Sequence, residues 1–246
     1  MIRLILVVLA VVIFLITMIP ALFILWIIGK FNKRAKDIIS LRMVQVIFRI
    51  ALFFAGTKIT VIGKERIPQD EPVLYVGNHR SFFDILVTYI QCKNCTGYIS
   101  KKEIEKVPLL VNWMRNLHCL FLDREDTKQA LKMVLDGIAL MKQGVSMCIF
   151  PEGTRGHVEG EIGEFKGGAF KMAEKTGCAI VPITISNTAA IWEDHLPWIK
   201  SAKVVVEYGE PVYPKDMSKE DRKHIAEYFR NIMLETLKKN ETYFQA

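Results

Sequence analysis

The chain has 246 residues, 51% of them apolar, and a net charge of +7; that length suits one sizeable α/β domain with a small accessory segment. Five cysteines, an odd number without framework spacing, argue against a disulfide-stabilised secreted domain. The basic surplus lies beside an apolar segment, which favours anionic lipid headgroups over nucleic acid as the partner.

Ile2 to Ile28 is apolar except for Arg3, Thr17 and Pro20. As a single helix it would be ~40 Å long against a hydrocarbon core of ~30 Å, so it can cross with tilt or break at Pro20 and stay in one leaflet. It is too long for a signal peptide, and no small-x-small site precedes Lys30. Between Lys30 and Arg66 nine basic residues face only Asp37 and Glu65, a surplus equal to the whole net charge. Lys30, Lys33, Arg34 and Lys36 place the downstream chain on the cytoplasmic face by the positive-inside rule. Met43 to Ala55 reads as an amphipathic helix at the interface, with Gln45 and Arg49 four apart on one face. Residues 1–57 are therefore expected to be membrane-associating helices, and 58–246 the remaining domain.

From Lys58 short β-rich runs alternate with helical ones. Strands are expected at Ile59–Ile62, Val73–Val76, Tyr98–Ser100, Cys119–Leu122, Met147–Phe150, Ile180–Ile185 and Val204–Tyr208. Helices are expected at Phe83–Gln91, Leu109–Asn116, Lys128–Gln143 and Gly168–Lys175, and from Ser218 to about Lys239. Leu131, Val134, Leu135, Ile138 and Met141 form an apolar helical face, with Thr127 as its cap and Gly144 as its stop. The alternation implies a three-layer α/β domain with a largely parallel sheet. Cys119, Cys148 and Cys178 sit in apolar runs as core residues. Cys92 and Cys95 resemble half a zinc site, but no second ligand pair follows at the right spacing, so no metal is expected. Trp192 and Trp198 are read as packing residues, with a second interfacial contact as the alternative.

Two motifs carry chemistry. In Gly77-Asn78-His79-Arg80-Ser81-Phe82-Phe83-Asp84, a strand–loop–helix reading puts His79 on the loop and Asp84 in the first helical turn. The carboxylate can fold back to accept the imidazole Nδ1–H, leaving Nε2 free to take a proton from a substrate hydroxyl. Downstream, Phe150-Pro151-Glu152-Gly153-Thr154-Arg155-Gly156 also ends a strand. In α/β sheets ligands gather at the carboxyl ends of strands. Gly153 and Gly156 permit a tight turn whose N–H groups can face an anion. Arg155 supplies a fork for a phosphate, and Glu152 can orient it or bind a glycerol hydroxyl. Lys101 and Arg124 follow strands in the same way, and Phe165-Lys166-Gly167-Gly168 opens a helix, so a single positive cleft is expected.

These blocks together resemble the glycerolipid acyltransferase family, specifically its lysophosphatidic acid acyltransferase branch. Asn78-His79 with Asp84 is similar to the family's catalytic motif. The stretch from Lys101 through Pro108 to Asp123-Arg124 is similar to its second block, Phe150 to Arg155 to its third, and Val181-Pro182-Ile183 to its fourth. Val111 and His118 stand where the family often has glycine. The resemblance implies acyl transfer from acyl-CoA or acyl–carrier protein to the free hydroxyl of lysophosphatidic acid, without a cofactor. His79 and Asp84 would be catalytic, and Glu152, Gly153, Thr154, Arg155, Arg124 and Lys101 would bind substrate. A thioester is already activated, so no acyl-enzyme is expected.

Overall fold

Seven strands form the centre of the computed structural model, which describes residues 1–123 and 126–244. They are β1 (Lys58–Ile62), β2 (Leu74–Gly77), β3 (Thr96–Lys101), β4 (Leu120–Leu122), β5 (Ser146–Ile149), β6 (Ile180–Ser186) and β7 (Lys203–Tyr208), in the sheet order β1-β7-β6-β2-β5-β3-β4. From β6 to β4 every neighbouring pair is parallel; β7 runs antiparallel to β6, and β1 is parallel to β7. The largely parallel sheet expected from the alternation is present.

Side-chain alternation makes the layers. Tyr75, Cys148, Val181 and Ile183 pack on one face of the sheet, and Leu74, Met147, Ile149 and Ile180 on the other. The first face is covered by α3 (Lys33–Ala55), α4 (Phe83–Tyr89) and α5 (Leu110–Asn116), the second by α6 (Thr127–Lys142), α7 (Lys171–Thr176) and α9 (Ile225–Asn240). The last helix expected from Ser218 is two: α8 (Lys219–Lys223), capped by Ser218, and α9, separated at His224. The cap of α6 is Asp126, one residue before the one expected; its carboxylate accepts from the Lys128 and Gln129 N–H groups. Leu131 and Leu135 of α6 do not join the core. They stand more than half exposed, while Met133 and Met141 are buried. All five cysteines are unpaired and buried.

At the N-terminus α1 (Ile2–Thr17) and α2 (Ile19–Phe31) meet at Met18 with a bend of 52°. The three interruptions of the apolar run each have a local reason. Arg3 donates to the Ala55 carbonyl (2.6 Å) at the end of α3, Thr17 to Ile13 O (2.8 Å), and Pro20 sits in the first turn of α2, where it forfeits no helical bond. Ile5, Leu9, Val12 and Ile16 leave an exposed stripe along α1.

The amphipathic reading of Met43–Ala55 needs correction. It is the second half of one 23-residue helix, α3, which is long and apolar enough to cross a membrane but is partly buried against the protein. Gln45 and Arg49 share a face, but Gln45 turns inward on it while Arg49 stays exposed. Gln45 is fully buried and donates to the Tyr89 and Cys92 carbonyls (3.0 and 2.7 Å), and Arg49 donates to Ile90 O (3.3 Å). Tyr89 O also accepts from the Cys92 N–H (3.1 Å), so α3 adds donors to the carbonyls at and just beyond the end of α4. Val46, Ile50 and Phe53 face outward instead. Gln45→Ala would leave the Cys92 carbonyl without its donor, while Tyr89 O keeps the Cys92 N–H, at an expected cost of about 2 kcal/mol. In detergent that corresponds to a fall in Tm of roughly 4–8 °C; an unchanged Tm would refute the role.

Candidate active site

Strands β2, β5 and β3 lie side by side and parallel, so their carboxyl ends open on one edge of the sheet. His79 follows β2, Pro151–Arg155 follows β5, and Lys101 ends β3. Close approach begins at Gly77, where a Cβ would lie 2.8 Å from the Phe150 ring. Its absence lets Phe150 lie flat on the imidazole of His79, with centroids 4.3 Å apart and planes 14° from parallel.

His79 Nδ1 and Asp84 Oδ2 are 2.8 Å apart. Asp84 is 1% exposed, and the same oxygen accepts from the Arg80 and Ser81 N–H groups (2.7 and 2.8 Å), while Oδ1 accepts from the Thr188 hydroxyl. Every partner in this set can donate, which suits a carboxylate that takes the Nδ1–H and leaves Nε2 as a lone-pair acceptor. Asn78 ties the loop to β6 by a pair of bonds, donating to Ile185 O and accepting from Ile185 N, both 2.8 Å.

The second loop departs from expectation in three residues. Glu152 neither orients Arg155 nor lines the cleft: Oε1 accepts from the His79 N–H and Oε2 from the Gly163 N–H, both at 2.8 Å. Burial pushes its carboxyl above the ordinary glutamate value, with those two N–H groups acting the other way. The glycine N–H groups are engaged as well. Gly153, in the left-handed region at φ +74°, donates to Phe150 O (3.1 Å), and Gly156 donates to His79 O (2.8 Å). Neither of these two glycine N–H groups is free to face an anion. Arg155 lies over the Phe82 ring (4.1 Å to the centroid), donates to Glu193 Oε1 (3.2 Å) and remains over a third exposed.

A cleft of about 930 Å³ brings together His79, Lys101, Gly153, Thr154, Arg155 and Lys166. Lys101 is exposed and pairs with Glu103 (2.8 Å). Arg124 lies outside the described residues. Leu131 and Leu135 border the same cleft, which explains why they are exposed. Phe82, Ile85, Ile99, Ser100 and Ile104 are shared with a second, almost wholly apolar cavity of about 600 Å³ between the sheet layer and α1, α3 and α5. His118, at one of the positions where glycine is common in the resembling family, adopts φ +59°, and its Nε2 meets Asp37 Oδ2 of α3 at 2.8 Å. The chain thus keeps the backbone path that glycine would ease.

Sequence reading missed the segment after β6. Thr188 reaches Asp84, Glu193 reaches Arg155, and Asp194 meets the buried Arg80 at 3.3 Å. Arg80 also lies 3.5 Å from Glu159, whose carboxyl burial raises while the Asn187 N–H and Arg80 act against it. The only local sign was the acidic pair Glu193-Asp194 after Trp192; in the folded chain these acids reach back to the loop that carries His79.

The sequence model of the family described as Acyltransferase matches residues 58–186. A 1-acyl-sn-glycerol-3-phosphate acyltransferase of Borreliella burgdorferi is 29% identical over 204 residues, 81% of each chain. The chloroplastic 1-acyl-sn-glycerol-3-phosphate acyltransferase of Arabidopsis thaliana is 39% identical over 135 residues, 54% of this chain and 37% of that one. The crystal structure of the 1-acyl-sn-glycerophosphate acyltransferase of Thermotoga maritima shares the fold, with a TM-score of 0.77 over 96% of both chains at 22% identity. With its family segment running from β1 through β6 and containing both motifs, the chain belongs to the acyltransferase family.

Proposed function

We propose that this chain transfers a fatty acyl group from an acyl thioester, acyl-CoA or acyl–carrier protein, to the free hydroxyl of 1-acylglycerol-3-phosphate, giving phosphatidic acid. The observation that carries the reading is the His79–Asp84 pair opening on the cleft that also holds Arg155 and Lys101. Relatives named for this reaction support it. His79 Nε2 takes the proton of the acceptor hydroxyl as that oxygen attacks the thioester carbonyl. Asp84 holds the ring and offsets the charge of the imidazolium. The tetrahedral intermediate collapses with loss of the thiolate, which takes the proton back from His79, so base and acid are one group. The thiols nearest the core are poor nucleophiles: burial pushes Cys92 and Cys119 up to about 11. A direct transfer needs none of them.

Arg155 anchors the phosphate, helped by Lys101 and Arg124, and the acyl chains lie along the apolar surfaces bordering the cleft. The exposed apolar stripes of α1 and α3, beside the basic collar, seat the protein on the membrane that holds the acceptor, and the basic collar orients the cleft to the cytoplasmic face. Purified protein in detergent with labelled acyl-CoA and lysophosphatidic acid should yield diacyl product and one free thiol per turnover. Free fatty acid without acceptor, or no thiol release, would overturn the reading. Arg155→Ala should raise the KM for lysophosphatidic acid about 10–100-fold, the worth of a hydrogen bond to a charged group. Equal impairment with monoacylglycerol, which lacks the phosphate, would remove Arg155 from that role.

A further inference from the structure

We infer that Glu193 is a positioning residue for this reaction, coupling the loop that carries His79 and Asp84 to the Arg155 guanidinium. The inference rests on the phosphate-anchoring role given to Arg155 above. One carboxylate touches both loops. Oε1 accepts from the Phe82 N–H (2.9 Å) and from Arg155 Nη1 (3.2 Å), and Oε2 accepts from the Ser81 hydroxyl (2.6 Å). Ser81 Oγ in turn accepts from the Phe83 N–H (2.9 Å), and the Ser81 N–H donates to Asp84. Glu193 therefore holds the turn between His79 and Asp84 at Ser81 and Phe82. It also fixes one arm of the guanidinium against Phe82, leaving the rest of the planar fork toward the cleft.

Glu193 is not a loose surface acid. Its side chain is 17% exposed, and the backbone around it is pinned by Thr188 and Ile191, both almost fully buried, and by the Lys200 N–H to Ile191 O bond (2.8 Å). All these residues lie beyond the matched segment 58–186. The opposite role would be competition: a carboxylate beside Arg155 opposes an incoming phosphate by its charge. Geometry and charge thus predict opposite signs when the charge is removed. Three bonds to two loops favour positioning.

The test uses the full chain in detergent. Glu193→Gln keeps an acceptor for the Phe82 N–H and removes the charge that binds Arg155. It should raise the KM for lysophosphatidic acid about tenfold, change kcat less, and raise the KM for monoacylglycerol by a smaller factor than that for lysophosphatidic acid. Glu193→Gln combined with Arg155→Ala should be no worse than Arg155→Ala alone, because the two act as one unit. An unchanged or lowered KM, or additive losses in the double variant, overturns the proposal. Hydrogen exchange supplies a readout that needs no substrate: in Glu193→Ala the Phe82 amide should exchange at least tenfold faster than in the parent, and an unchanged rate overturns the proposal equally. If the parent protein transfers nothing to lysophosphatidic acid, the functional reading fails, and the exchange comparison still decides whether Glu193 holds the loop.

Discussion

His79→Ala is expected to lower kcat by roughly 10²–10⁴, the usual worth of a positioned general base. The ring stands where the two loops meet, and its orientation is doubly determined, by Asp84 at Nδ1 and by the Phe150 face beneath it. Removing it leaves the Asp84 bonds to the Arg80 and Ser81 N–H groups and to Thr188, so the fold should survive. Thiol release from acyl-CoA in the presence of lysophosphatidic acid measures the effect. Retention of more than a tenth of the parent rate would falsify the base assignment.

Asp84→Asn should be nearly as severe, with kcat down by up to about 10⁴, the order seen when a carboxylate that orients a histidine becomes an amide. Four donors converge on this carboxyl, and an amide offers them a single oxygen. If the amide NH₂ takes the place of Oδ2, it meets the Arg80 and Ser81 N–H groups, and the His79 ring must accept at Nδ1 and then presents an N–H to the substrate in place of a lone pair. If it takes the place of Oδ1, it can donate to the Thr188 hydroxyl and the remaining oxygen keeps its three donors, but the charge that offsets the imidazolium is gone. The first arrangement leaves two buried N–H donors unpaired, at about 1–3 kcal/mol each, and the second exchanges charge-assisted bonds for weaker neutral ones. The expected signature is a loss of rate together with a lower Tm, whereas His79→Ala shows the loss of rate nearly alone. A kcat within tenfold of the parent would sink the orienting role.

Much of the sheet was legible because buried parallel strands read as short, nearly continuous apolar runs, as at Val73–Val76 and Ile180–Ile185. His79 and Asp84 were legible because five residues of chain suffice to bring them together. Glu152 was found as a polar residue in the right loop, but its direction was not. Whether a glutamate turns to a neighbouring arginine or to a backbone N–H 73 residues earlier depends on packing that local pattern does not carry. Glu193 and Thr188 were invisible for the same reason, since their partners on the loop between His79 and Asp84 lie 104 to 112 residues away. The inward turn of Gln45 was also misread. On a helix with apolar residues on nearly every side, the polar position looks like the wet face, and here it is the face that completes another helix.

The apolar cavity bears on how this protein can be shortened. Leu4, Val7 and Phe14 of α1 and Ile47 and Phe48 of α3 form one side of it, and Trp113 and Tyr98 belong to the other. Cutting the chain at residue 57 would split that container down its length, and the fragment beginning at Lys58 would present its greasy interior to solvent. A shortened version made for solubility would thereby lose the property it was cut to acquire.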